Sequence, residues 1–165
     1  MYENLSADAA NQPGPNDPIL FYPKEFYPLC NFSAFTVVMD GRTYPTSEHA
    51  YQAQRYIRSG DKDIARFIRD APSAHEAYQI AQENKHLALP SWQDEKFDVM
   101  REILFLKVNQ HPYVMQKLME TGDRIIIEDS WRDDVWGWGP NKDGENRLGF
   151  LWMEVREELK QKGVK

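Results

Sequence analysis

Two carboxylates sit in surroundings that suit chemistry. Glu48 stands in Thr46-Ser47-Glu48-His49-Ala50-Tyr51-Gln52-Ala53-Gln54-Arg55, and Asp133 lies in a stretch rich in tryptophan and glycine, residues 130–149. In the first stretch, Glu48, Tyr51, Gln52 and Arg55 are related by steps of three, four and seven, so on a helix a carboxylate, a phenol, an amide and a guanidinium share one face. A carboxylate in the first helical turn lies in the positive field of the helix N-terminus, which favours its ionised form and suits it to act as a base or nucleophile. Acidic residues in first turns also commonly do no more than steady the helix, and local sequence leaves both roles open. Hydrolysis of a glycosidic bond needs groups of this kind, because its transition state carries positive charge on the sugar while a second group handles a proton. In residues 130–149, Trp131, Trp136 and Trp138 offer flat faces for a planar base, and Gly137, Gly139 and Gly144 permit close backbone approach.

Local signals place these groups. Pro45 and the N-cap residue Thr46 start a helix whose Ala50, Ala53 and Ile57 face a core, and Gly60 ends it. Upstream, Thr36-Val37-Val38-Met39, Asp40-Gly41 and Arg42-Thr43-Tyr44 predict a hairpin with a I′ turn. A short strand is expected from Ile19 to Tyr22, before Pro23. A helix over residues 64–71 is stopped by Pro72, Ser73 and Glu76 form a capping box for the next, and residues 84–90 connect. Ser91 with Asp94 predicts a further helix start, and Phe97, Met100, Ile103, Leu104 and Val108 mark a central helix that Phe105 and Leu106 make apolar on more than one side. A helix from about Tyr113 closes at Gly122, Ile125-Ile126-Ile127 predicts a buried strand, and a last helix over 148–162 turns Leu151, Val155 and Leu159 inward.

The 165 residues suffice for one domain with a real core. Residues 1–17, with Pro13, Gly14 and Pro15, are expected to form a flexible lead-in, and residues 18–163 the folded domain. The fold class expected is α+β, mainly α, with a small hairpin or sheet. Net charge is −6, the isoelectric point is near 5.2 and mean hydropathy is −0.71, which argues against broad phosphate neutralisation on nucleic acid and against a membrane partner. No apolar run approaches the roughly 18 residues of a membrane span, and no secretory signal is visible, so a cytoplasmic protein is expected. Cys30 is the only cysteine, and His49, His75, His86 and His111 follow no zinc spacing, so neither a disulfide nor a metal is expected.

Asn31-Phe32-Ser33-Ala34-Phe35, Gly41-Arg42-Thr43-Tyr44-Pro45-Thr46-Ser47-Glu48-His49 with Tyr51-Gln52-Ala53-Gln54, Asp133-Asp134-Val135-Trp136-Gly137 and Asn146-Arg147-Leu148-Gly149, with Met153 and Arg156, occur in that order. Together, over residues 21–159, they resemble the NADAR family of YbiA-like N-glycosidases. The resemblance implies a compact, mainly helical fold and hydrolysis of the bond between ribose C1′ and a base nitrogen, with no cofactor. It implies a small nucleotide-like substrate: ribosylated pyrimidine intermediates of riboflavin biosynthesis or, as an alternative, ADP-ribosylated guanine in nucleic acid. A non-catalytic module that binds ADP-ribose is the rival of another class. By the same resemblance Glu48 and Asp133 are the catalytic candidates. Trp136 is a stacking contact, Gly137 lies beside it, and Asn146 is a partner for ribose or phosphate. Trp92, Tyr51, Phe32 and Arg55 complete the expected substrate contacts. The family's Gly-Arg block and a later arginine have no counterpart, since Ala81, Gln82, Asn84 and Leu89 occupy that region. Phosphate is then held differently, or another ligand is preferred. Oligomeric state is left open.

Overall fold

A computed structural model describes residues 14–21 and 25–164. The elements in chain order are β1 (Ile19–Phe21), β2 (Val37–Met39), β3 (Arg42–Tyr44), α1 (Ser47–Ser59), α2 (Lys62–Arg69), α3 (Ala74–Glu83), α4 (Trp92–Gln110), α5 (Pro112–Glu120), β4 (Ile126–Glu128) and α6 (Arg147–Gln161). The fold is α+β with helices in the majority, as expected. Most of the expected lead-in, and the Tyr22 and Pro23 end of the first strand, lie outside the described residues. The chain forms two compact units, one of residues 28–116 and one of the residues up to Tyr27 together with those from Lys117 on.

In the first unit, Asp40 and Gly41 both take positive φ, 51° and 72°, which is what a I′ turn requires, and β2 pairs antiparallel with β3 in the register Val37↔Tyr44. Val37 and Met39 turn inward and Val38 outward. The hairpin delivers the chain to Thr46, whose Oγ1 accepts from the His49 N–H at 3.3 Å and opens α1, and Gly60 in the left-handed region closes it. α1 packs against α2, α3, α4 and the hairpin. The sequence predicts one buried stripe on α1 and an opposite polar face, but Ser47, Glu48, His49, Gln52 and Gln54 are buried together with Ala50 and Ala53. With neighbours on several sides, these polar residues keep no more than a few per cent of their surface exposed.

The expectation for α4 is corrected in the opposite sense. Met100, Ile103, Leu104 and Val108 are buried, but Phe97, Phe105 and Leu106 only partly so, while Asp98, Glu102 and Asn109 are exposed. α4 is amphipathic, and α1 is the enclosed helix. Ser91 does not cap α4 either: its backbone is already helical and its side chain makes no capping bond, the entry being a tight turn through Asp94 N–H to the Ser91 carbonyl at 3.0 Å. At the other end Gln110 acts as a surrogate strand, its amide donating to Val38 O and accepting from Val38 N–H, each at 2.8 Å.

In the second unit, β1 pairs parallel with β4, Ile19↔Ile126 through Phe21↔Glu128, and α6 packs against β4. Ile126 and Ile127 are buried, whereas Ile125 is exposed and falls outside the strand. Leu148, Leu151, Trp152, Val155 and Leu159 form the inward face of α6, and burial of each such side chain contributes about 1.5–3 kcal/mol. Buried Arg156 donates through Nη1 to Thr121 Oγ1 and the Arg124 carbonyl, both at 2.8 Å, and so fastens α6 to the turn before β4.

Candidate active site

Glu48 is held by hydrogen bonds and by burial. Its N–H donates to the Asn31 carbonyl at 3.1 Å, its Oε1 accepts from Gln52 Nε2 at 2.7 Å one helical turn on, and burial leaves it only 6% exposed. The Asn31 segment is fixed from beneath. Lys107 of α4, fully buried, donates to the Cys30 carbonyl at 2.9 Å and to Ser33 Oγ at 2.8 Å, and its ammonium lies 5.6 Å from the Phe35 ring centre. Burial pushes its pKa down to about 7. Sequence reasoning passed over this lysine. The signal was there: one lysine between Leu106 and Val108, on the stripe of an amphipathic helix.

Tyr51 and Trp92 join the same neighbourhood. Their ring centres lie 5.2 Å apart at 47°, which links α1 to α4 beside Glu48, and both are buried. Arg55, another turn along, has a buried Nε with no hydrogen-bond partner, and its guanidinium lies 5.6 Å from the Tyr56 ring centre. Phe32 follows Asn31 and is exposed. His49 points elsewhere: its ring joins Thr46 Oγ1 at 2.8 Å and the Ala71 carbonyl at 3.0 Å, and burial lowers its pKa, so it is a neutral structural group.

The second unit carries the other predicted residues. Asp133 Oδ1 accepts the N–H groups of Val135 at 2.9 Å and Trp136 at 2.8 Å, which folds the loop into a turn around its own carboxylate. The carbonyls of Val135, Trp136 and Gly137 then accept from Arg147, Leu148 and Asn146 N–H at 2.9–3.0 Å, so this loop supplies the backbone partners for the first turn of α6. Asn146, expected to contact ribose or phosphate, bonds through its side chain to the backbone of β4. Its Nδ2 donates to Ile126 O and its Oδ1 accepts from Glu128 N–H, both at 2.9 Å, with the side chain wholly buried. Gly137 is likewise explained by the protein itself, since a Cβ there would meet Glu128 O at 2.8 Å and Ser130 Cβ at 2.9 Å. Trp138 is buried with Nε1 on Asp129 Oδ1 at 2.9 Å, Trp136 is half-buried, and Trp131 is exposed.

The solved NMR structure of Escherichia coli YbiA matches this fold with a TM-score of 0.79, covering 94% of this chain and 93% of that one at 30% identity. In sequence, the chain is 36% identical over 129 residues to the N-glycosidase YbiA of Escherichia coli, covering 78% of this chain and 79% of that protein. It is 35% identical over 130 residues to an N-glycosidase of Nostoc punctiforme, covering 79% and 83%. A riboflavin biosynthesis protein of Vibrio vulnificus is 35% identical over 146 residues, which are 87% of this chain and 39% of that one. Fold and relatives define the class: a hydrolase acting on N-glycosyl compounds. The NADAR domain matches residues 20–160, across both units, and the chain belongs to that family.

Proposed function

We propose that the chain hydrolyses the bond between C1′ of ribose, or ribose phosphate, and a base nitrogen, with ribosylated pyrimidine intermediates of riboflavin biosynthesis as substrates in the cytosol. The observation that carries this reading is a buried carboxylate, Glu48, at the start of α1 with an amide donor on its Oε1. In this mechanism Glu48 takes a proton from water as the water oxygen bonds to C1′. The C1′–N bond breaks with its electron pair moving to the base nitrogen, a proton returns there, and Glu48 is regenerated. The negative charge of Glu48 also opposes the positive charge that develops on the sugar. Asp133 assists through its second oxygen, with Oδ1 kept for the loop turn, and Trp136 stacks on the leaving base. Tyr51, Trp92 and Phe32 supply aromatic wall, and Arg55 is the proposed partner for the ribose phosphate that the family's arginines would otherwise hold. Asn146 and Gly137 act at one remove, by shaping the loop that carries Asp133 and Trp136. The riboflavin assignment draws on the Vibrio relative and on a Zea mays riboflavin biosynthesis protein, 32% identical over 81% of this chain and 23% of that protein.

The test is a product assay by chromatography and mass spectrometry. Purified protein is offered the ribosylated pyrimidines and, separately, an oligonucleotide bearing ADP-ribosylated guanine, with Glu48→Gln alongside. Base release from the pyrimidines, lowered by about 10²-fold or more in the variant, is the expected result. Release from the oligonucleotide alone would shift the substrate to modified nucleic acid, and release by Glu48→Gln at the normal rate would refute the assignment of Glu48.

A further inference from the structure

Two amide residues hydrogen-bonded to Glu48, Gln52 and Asn31, each leave a side-chain acceptor unused. Gln52, 4% exposed, gives Nε2 to Glu48, while its Oε1 is buried with no hydrogen-bond partner. Asn31, 7% exposed, accepts from the Glu48 N–H with its main-chain carbonyl and places Nδ2 on Met100 Sδ at 3.4 Å, while its Oδ1 too is buried and unpartnered. The orientation of the Gln52 amide follows from charge, because a carboxylate can only accept. With Nε2 turned to Glu48, Oε1 must face away from it. A buried acceptor without a donor destabilises a fold by about 1–3 kcal/mol, and apolar residues of the same shape would remove that cost. Two such acceptors, on residues that each hydrogen-bond to Glu48, are therefore accounted for by something that brings donors to them.

Resting on the reading of Glu48 as the reacting carboxylate, we propose that Gln52 positions it, and that Gln52 Oε1 and Asn31 Oδ1 receive hydrogen bonds from the O–H groups at the reacting centre. For Gln52 that group is the attacking water or a ribose hydroxyl, which share one chemistry and are separated by the test, and for Asn31 it is a ribose hydroxyl. Through Nε2, Gln52 favours the ionised form of Glu48 and fixes the direction of its lone pairs. Through Oε1 it accepts from the hydroxyl that Glu48 acts upon. Asn31 accepts from the Glu48 N–H through its main-chain carbonyl, so its side chain governs substrate affinity.

The experiment measures kcat, KM and pH profiles on the substrate that the product assay establishes, for Gln52→Met, Gln52→Glu and Asn31→Leu, with thermal unfolding of each. Gln52→Met is expected to unfold within a few degrees of the parent yet lose about 10- to 100-fold in kcat. The acidic limb of its kcat/KM profile should move to higher pH, because a carboxylate that has lost its donor binds a proton more readily. Gln52→Glu retains the size and an acceptor oxygen but sets two carboxyl groups against each other. It moves the same limb upward, and serves if the methionine variant fails to fold. Asn31→Leu should raise KM several-fold with the limb in place. If the loss in Gln52→Met persists on a 2′-deoxyribosyl analogue, the donor is the attacking water. If it shrinks there, the donor is the 2′-hydroxyl.

An unshifted limb and unchanged kcat in both Gln52 variants overturn the positioning role, and an unchanged KM in Asn31→Leu overturns its share. Glu48→Gln separates the two levels. If it abolishes turnover while the Gln52 variants are silent, only this inference fails, whereas a fully active Glu48→Gln removes the reading on which it rests.

Discussion

Lys107 Nζ donates to the Cys30 carbonyl at 2.9 Å, and through that bond a residue of α4 fixes the segment whose next carbonyl, that of Asn31, receives the Glu48 N–H. A lysine bonded to a carbonyl and a hydroxyl is an unusual choice for this task. The lysine reaches two acceptors at once, Cys30 O and Ser33 Oγ, which an apolar side chain of its length could not hold.

Its depressed pKa makes that anchor sensitive to pH. Between about pH 7 and the ordinary lysine value of 10.5, the unfolded chain binds a proton that the folded one does not, so stability rises with pH across this window and levels off below it, where both states carry the proton. In urea titrations at pH 7, 8 and 9, the stability of the parent minus that of Lys107→Met should increase by up to about 1.4 kcal/mol per pH unit. A flat or falling difference would contradict the burial of a lysine there.

His49 gives a second window with the same sign. Burial lowers its pKa, and its ring already joins Thr46 and Ala71, so the unfolded state takes up a proton first as pH falls below the usual value of 6.5. The parent should lose stability between pH 7 and 5 faster than His49→Gln does. Equal slopes in chemical denaturation would show that the ring is not held neutral.

Glycine at 149 tests the clamp between α6 and β4. A Cβ there would run into Ile126 O and both amide atoms of Asn146, the groups that bond α6 to the strand. Gly149→Ala should therefore destabilise by about 1–3 kcal/mol or more, although alanine is the better helix former. Thermal unfolding decides, and a stabilised variant would show that the backbone gives way easily.

Asp133 has two separable duties. Asp133→Asn retains an oxygen for the Val135 and Trp136 N–H groups and removes the charge, whereas Asp133→Ala removes both. Losing the turn should lower stability by about 0.5–2 kcal/mol, by analogy with loss of a helix cap. The expected pattern is a stable asparagine variant with reduced turnover and an alanine variant impaired in both. Full activity of Asp133→Asn would confine this residue to building the loop.

The sequence by itself determined the local geometry. Asp40-Gly41 permits only a few turn types, Thr46 supplies an oxygen at the right distance from His49 N–H, and Gly60 can take the left-handed conformation that ends α1. These depend on residues within a few positions of one another, and so did the ordered blocks that marked the family. What tertiary structure decided was the environment of each group. Periodicity could not tell that α1 is enclosed on its polar side, because that depends on α2, α3 and α4 packing around it. Nor could it assign Asn146 and Gly137 to the protein's own backbone: the partners, Ile126 and Glu128, lie 9 to 20 residues away and meet them only once β4 and α6 are packed. The same holds for Lys107 and Cys30, 77 positions apart, whose bond exists because folding removed water from both.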